Sequence, residues 1–370
     1  MSAAPPFFSL LITSYNRPES VVACLESVLA NEGEDFEVII GDDASPCSEA
    51  IANAVRPYAE RSKIRFHRHS VNIGEPANRN YLVAEATGRY NIILCDDDTL
   101  FPQALRTLRG YIERQPDQDL YLFGYRVVDE TGVRCYDRVA PHSLAINLHH
   151  PRLVRRMFEA TWMSFLLFHQ STFCCRRGIE REVRYRRELA PADDYMFLLE
   201  CLNKGKRLYV LPECLMTYRW CLSRSGTHQV NQSSDIVRTM TASTRLYYAL
   251  QERKDLHPLV AGIIAGPAYR RRFLYDVIIR RMPLSEESIA LLRLPREHRE
   301  EFEAYRLNVS RPALLLKIAL QIMGELMRDF GFKGLLYWLQ AWMAYVKYRP
   351  FNMPQPAAAI THLNSSSECP

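Results

Sequence analysis

The sequence predicts an α/β fold: a mostly parallel, Rossmann-like sheet with helices on both faces, followed by a mainly helical C-terminal region. Three observations carry this. Short apolar runs of strand length alternate with helically spaced apolar segments over residues 7–120. Polar clusters directly follow three of the runs. From about 232 to 350 the pattern is helical with few Gly, punctuated by Pro283, Pro295 and Pro312.

Residues 7–13 (FFSLLIT) suit a buried strand, and SYNRP ends it. Pro18 can occupy a first helical turn, and Val21, Val22, Leu25, Val28 and Leu29 follow at helical spacing. FEVII at 36–40 is the second strand, stopped by Gly41-Asp42-Asp43. A helix is predicted over 48–60, a third strand over 63–69, and a helix over 77–87 closed by Gly88. YNIILC at 90–95 is the fourth strand, ending in Asp96-Asp97-Asp98, and Pro102 opens another helix. Further on, DDYMFLLECLNKG reads as an amphipathic helix, and RLYVLP and LMTYRW as two short apolar runs.

The chain has 370 residues, 48% hydrophobic, enough for one large domain and a second region. The expected division is a catalytic domain at 1–225, with its donor part at about 7–120 and its acceptor part at about 121–225. A helical region at 226–350 and a disordered tail at 351–370 follow. Charge is nearly balanced over 1–225, while 226–350 carries a clear excess of Lys and Arg. The ten cysteines form no CxxC pair, which reads as free thiols in a reducing compartment. No secretory signal or membrane-spanning segment is expected, which places the chain in the cytoplasm.

Three adjacent carboxylates after a strand repel one another and call for compensation. A divalent cation, Mg²⁺ or Mn²⁺, would supply it. The competing reading is an acidic turn in which Asp97 or Asp98 caps the helix near Pro102. Placement beside the other two strand-end clusters favours the metal, because ligands of such sheets lie beyond the carboxyl ends of the strands. Asp42-Asp43 either contacts a nucleoside or closes a turn with Ser and Pro46. Arg79, early in its helix, either reaches a diphosphate or is a surface residue. Of Asp193-Asp194, one is an ordinary helix cap and the other a candidate general base. The His67/His69 and His149-His150 pairs lack a partner set for zinc, and His169 and His228 stay unplaced. The absence of GxGxxG and GxxxxGK[ST] counts against dinucleotide oxidoreductases and P-loop enzymes.

Together, SLLITSYNRPESVVACLESVL, FEVIIGDDAS and NIGEPANRNYLVAEATGRYNIILCDDDTLFP resemble the family 2 inverting glycosyltransferases of the GT-A fold, with a weaker match through DDYMFLLECLNKGKRLYVLPECLMTYR. The resemblance implies transfer of a sugar from a nucleotide-diphosphate donor, expected to be a UDP-sugar, to a glycan or lipid-linked acceptor. It implies a donor set of Thr13, Tyr15, Arg17, Asp43, Arg79 and Asp96, metal binding by Asp97 and Asp98, and Asp194 as catalytic base. Two positions depart from the family pattern. Cys95 stands where the first Asp of the DxDD run is usual, and Cys221 where a His is often found.

Rival readings are a sugar nucleotidyltransferase and a non-catalytic nucleotide-sugar-binding module. No nucleic-acid recognition motif is present. Residues 312–347 set Trp338, Trp342 and Tyr345 among basic residues. That suits peripheral contact with the inner face of an anionic membrane, or packing on the catalytic domain or on a second copy of the chain.

Overall fold

The computed structural model describes residues 4–31, 33, 35–59, 64–128, 132–139, 143–146, 170–187, 193–219, 253–258, 260 and 261. They all belong to the first of two compact units, Met1–Leu274. The expected basic stretch 312–347, the tail, and His149, His150, His169, Cys221 and His228 lie outside the described residues.

Strands β1 (Phe8–Ser14), β2 (Phe36–Asp42), β3 (Ile64–Arg68) and β4 (Tyr90–Cys95) alternate with helices α1 (Pro18–Leu29), α2 (Ser48–Ala59) and α3 (Glu75–Glu85). Then come β5 (Thr99–Leu100), α4 (Ala104–Arg114), β6 (Leu120–Val128), β7 (Arg134–Arg138) and β8 (Leu144–Ile146). A single 3-10 turn at Gln170–Thr172 leads into β9 (Phe173–Arg176), α5 (Ile179–Glu182), α6 (Asp193–Asn203) and β10 (Leu208–Arg219). The sheet order is β3-β2-β1-β4-β9-β6-β10-β5, with β7 on β6 and β8 on β10. The first four strands pair in parallel. β9 is antiparallel to both its neighbours, and β10 is parallel to β6.

Strand side chains alternate between faces, and this splits the core in two. Leu11, Ile39 and Ile93 pack with α3, α5 and α6 on one face. Leu10, Ile12, Val38, Ile40, Ile92 and Leu94 pack with α1, α2 and α4 on the other. The first strand and its partners are buried on both sides, so they read as continuous apolar runs. Helices on both faces are as the sequence predicts. On the α6 face the chain returns: Val260 is fully buried, and Arg253 pairs with Glu200.

Three sequence expectations change. Gly88 is not a helix cap, since α3 stops at Glu85. Instead its amide donates to Ser9 Oγ at 2.8 Å, and a Cβ there would stand 2.8 Å from the Phe8 and Ser9 backbone. The two runs RLYVLP and LMTYRW are one strand, β10, whose register shifts between Val210 and Met216. Pro212, which has no N–H for the ladder, falls inside that irregularity. Finally, β5 intervenes between the acidic run and α4, whose N-cap is Gln103, so neither Asp97 nor Asp98 caps that helix.

Candidate active site

Register places the polar clusters on one sheet edge. Thr13 lies opposite both Gly41 and Cys95, and Ser14 opposite Asp42. The segments 15–17, 43–45 and 96–98 therefore leave three adjacent strands side by side. The turns are held tightly. Asn16 and Ala44 both take left-handed backbone, with φ of 58° and 59°. Asn tolerates this conformation, whereas Ala does so at a cost of about 1 kcal/mol. Ser45 Oγ accepts the Asn16 amide at 2.7 Å, and the Cys47 thiol donates to Asn16 Oδ1 at 2.9 Å.

Asp42 and Asp43 divide their work. Asp42 takes the Ser45 amide and hydroxyl, which closes the turn. Asp43 is buried and accepts the amides of Ile73 at 2.7 Å and Gly74 at 2.9 Å, so it holds the 72–74 loop against β2. A carboxylate has further acceptor positions beyond these two. Thr13 is buried, its hydroxyl 3.5 Å from the Leu94 carbonyl, whereas Tyr15 is 36% exposed and stands at the opening.

The acidic run splits three ways. Asp96 is buried and accepts the Tyr15 amide at 3.3 Å. The Arg17 guanidinium bridges Asp96 at 2.9 Å and Asp97 at 2.7 Å. Burial drives the Asp96 carboxyl up to about 7; Arg17 opposes this and Asp97 adds to it. Asp98 is fully buried and receives the Ser171 hydroxyl at 2.5 Å, and Ser171 Oγ in turn accepts the Cys95 amide at 3.0 Å. Burial, with the neighbouring Asp97 charge, pushes Asp98 well above the usual carboxylate range. Cys95, Asp97 and Asp98 bring one ligand atom each to within 4.8 Å of one another, the one such grouping among the described residues. His67 instead stacks on Tyr81, and His69 meets both rings edge-on.

On the far side, Arg79 is buried with both terminal nitrogens engaged. Nη1 donates to Asp193 at 2.6 Å and Nη2 to Glu75. The structure thus puts Arg79 between two carboxylates rather than on the surface. Asp193, at the start of α6, faces Arg79, and its neighbour Asp194 is half-buried. Glu75 closes the circuit, lying 3.8 Å from Cys95 Sγ. A continuous polar chain therefore runs from the acidic run through Cys95, Glu75 and Arg79 to α6. Sequence reasoning missed Glu75 and Ser171, whereas the turn that Ser45 closes on Asp42 was one of its two readings of that cluster. Glu75 alone had a local signal, standing four residues before Arg79 on a helix.

Comparison with known proteins follows the same outline. Residues 9–175 match the family model described as glycosyl transferase family 2. The chain is 26% identical over 216 residues to an uncharacterized glycosyltransferase of Methanocaldococcus jannaschii, covering 58% of this chain and 71% of that one. It is 27% identical over 220 residues to the succinoglycan biosynthesis protein ExoO of Rhizobium meliloti, covering 58% of this chain but only 60% of that protein. Among solved structures, S. aureus TarS 1-349 in complex with UDP-GlcNAc superposes with a TM-score of 0.56 at 18% identity, over 81% of this chain and 89% of that one. A mannosyltransferase of Pyrobaculum calidifontis in complex with GDP-Man and Mn²⁺ gives 0.54 at 16%, over 93% and 88%. Among the described residues, no helix is long and apolar enough to cross a membrane. Residues 9–175 thus carry a glycosyl transferase family 2 domain, on the GT-A fold that the chain shares with these solved glycosyltransferases.

Proposed function

We propose that the chain transfers a sugar from a nucleotide-diphosphate donor, with a UDP-sugar as the expected one, to an acceptor hydroxyl with inversion, in the synthesis of a surface glycan or polysaccharide. One observation carries the reading. Cys95, which leads into the acidic edge at the end of β4, and Asp193, which opens α6 next to Asp194, lie at the two ends of a single hydrogen-bonded chain through Glu75 and Arg79.

The residues at the edge fit a divalent cation. Asp97 and Asp98 offer carboxylate oxygens, as Mg²⁺ and Mn²⁺ require, while the Cys95 thiol beside them is held protonated by burial and is turned to Glu75. The Ser171 hydroxyl aims Asp98, whose buried charge is costly without a positive partner. Bound there, the ion would offset the negative charge that gathers on the departing diphosphate. The relatives that have been crystallised with UDP-GlcNAc, or with GDP-Man and Mn²⁺, support a nucleotide-sugar donor.

The chain's own groups then have distinct tasks. Tyr15 presents an open aromatic face beside the turn that Asp43 braces, suited to a nucleobase. Arg79 orients rather than binds: it fixes Asp193 and Glu75, and so sets the first turn of α6. Asp194 takes the proton of the acceptor hydroxyl as that oxygen attacks the sugar carbon from the face opposite the diphosphate.

Nucleotide release from a panel of UDP- and GDP-sugars, with Mn²⁺ and with EDTA, tests the reading. Metal-dependent release that disappears in Asp97→Ala is the expected result. Donor binding without any release, across acceptors, would favour a non-catalytic module.

A further inference from the structure

Arg17 stands at the mouth of the acidic edge, immediately before α1. A single nitrogen, Nη1, meets Asp96 Oδ1 at 2.9 Å and Asp97 Oδ2 at 2.7 Å. That nitrogen does for two neighbouring carboxylates what a bound cation would do: it draws them together and cancels part of their repulsion. The contact is anchored on one side, because Asp96 is buried and its other oxygen holds the Tyr15 amide. On the other side it reaches solvent, since the side chains of Arg17 and Asp97 are each 19% exposed.

We infer that Arg17 is an internal counter-ion that sets the affinity of the acidic edge for a divalent cation. Guanidinium and cation compete for Asp97, and the incoming cation turns the guanidinium away from Asp97 toward the donor's diphosphate. The inference rests on the metal-assisted reading above and deepens it. Arg17 weakens cation binding to the free protein and strengthens binding of a nucleoside diphosphate to the metal-loaded protein. The diphosphate gives the displaced guanidinium a second anionic partner, so cation and nucleotide bind cooperatively.

The test is Mn²⁺ binding to the full chain, read from the electron paramagnetic resonance of the free ion, with and without UDP. Arg17→Gln is expected to bind Mn²⁺ alone about tenfold more tightly than wild type and to lose most of the further tightening that UDP brings. Arg17→Met, which keeps the packing of the stem, should behave alike and serves if the Gln variant folds poorly; circular dichroism melts report the folding of both. Mn²⁺ binding by either folded variant that is no tighter than wild type overturns the role of Arg17 and leaves the metal reading intact. No Mn²⁺ binding by wild type or variant, with or without UDP, overturns both.

Discussion

Arg79 Nη1 and Asp193 Oδ2 meet at 2.6 Å across 114 residues of sequence, with the side chains only 5% and 4% exposed. Burial alone would lower the pKa of the guanidinium, but the Glu75 and Asp193 carboxylates more than offset it, so Arg79 stays charged. Truncating one member strands the other as a buried charge. Arg79→Ala is expected to cost about 3–5 kcal/mol in urea denaturation. Asp193→Asn is expected to be milder, because Glu75 remains to pair Arg79. Equal stability of wild type and Arg79→Ala would show that the pair does not hold α3 to α6.

Asp194 is adjacent to that pair, and replacing its carboxylate by the isosteric amide keeps its shape while removing a base. Asp194→Asn is expected to lower kcat by about 10²–10⁴-fold while leaving the donor KM within a few-fold. Asp97→Ala should instead weaken donor and Mn²⁺ binding together. Steady-state kinetics at several Mn²⁺ concentrations separate the two patterns, and a kcat unchanged in Asp194→Asn would remove it from the role of base.

Two glycines give a contrast that needs no assay of function. A Cβ on Gly88 would stand 2.8 Å from the backbone of Phe8 and Ser9, at the entry to β1, where nothing can yield cheaply. Gly88→Ala should cost about 1–3 kcal/mol. Gly110 lies inside α4, where the nearest obstacle is the Arg114 guanidinium at 3.3 Å, the end of a flexible side chain. Gly110→Ala should stabilise by about 0.5–1 kcal/mol. Thermal midpoints that move in the same direction would contradict the contrast.

The parallel half of the sheet was legible because buried strands show as uninterrupted apolar runs such as SLLIT and NIILC, bounded by turn residues. Strand-end chemistry followed from the same pattern, so Asp43 and Asp96 to Asp98 could be grouped before any coordinates. What could not be read was long-range pairing. Ser171 reaches Asp98 across 73 positions and Glu180 reaches Asn91 across 89, and neither leaves a local trace. Arg79 was only partly legible for a related reason: on its helix it reads either as a diphosphate contact or as a surface cation, and only Asp193, far along the chain, accounts for its burial. β10 was split in two because Pro212 imitates a strand end.

Glu180 gives the pH prediction. It sits on α5, 2% exposed, with Oε2 accepting the Asn91 amide at 2.6 Å, and burial raises its carboxyl to about 7 despite that hydrogen bond. The unfolded chain ionises the same group near 4.5. Between those values the folded chain holds a proton on Glu180 that the unfolded chain has lost, so this group's contribution to stability falls as pH rises from 4.5 to 7 and is flat above that. Glu180→Gln keeps an acceptor for Asn91 and cannot ionise. Relative to wild type it should gain up to about 3 kcal/mol at pH 8 and almost nothing near pH 4.5. Because every other titrating group is common to both proteins, the difference between their urea midpoints isolates this one carboxyl. A gap that stays constant from pH 5 to pH 8 would mean that Glu180 keeps an ordinary pKa in the folded chain.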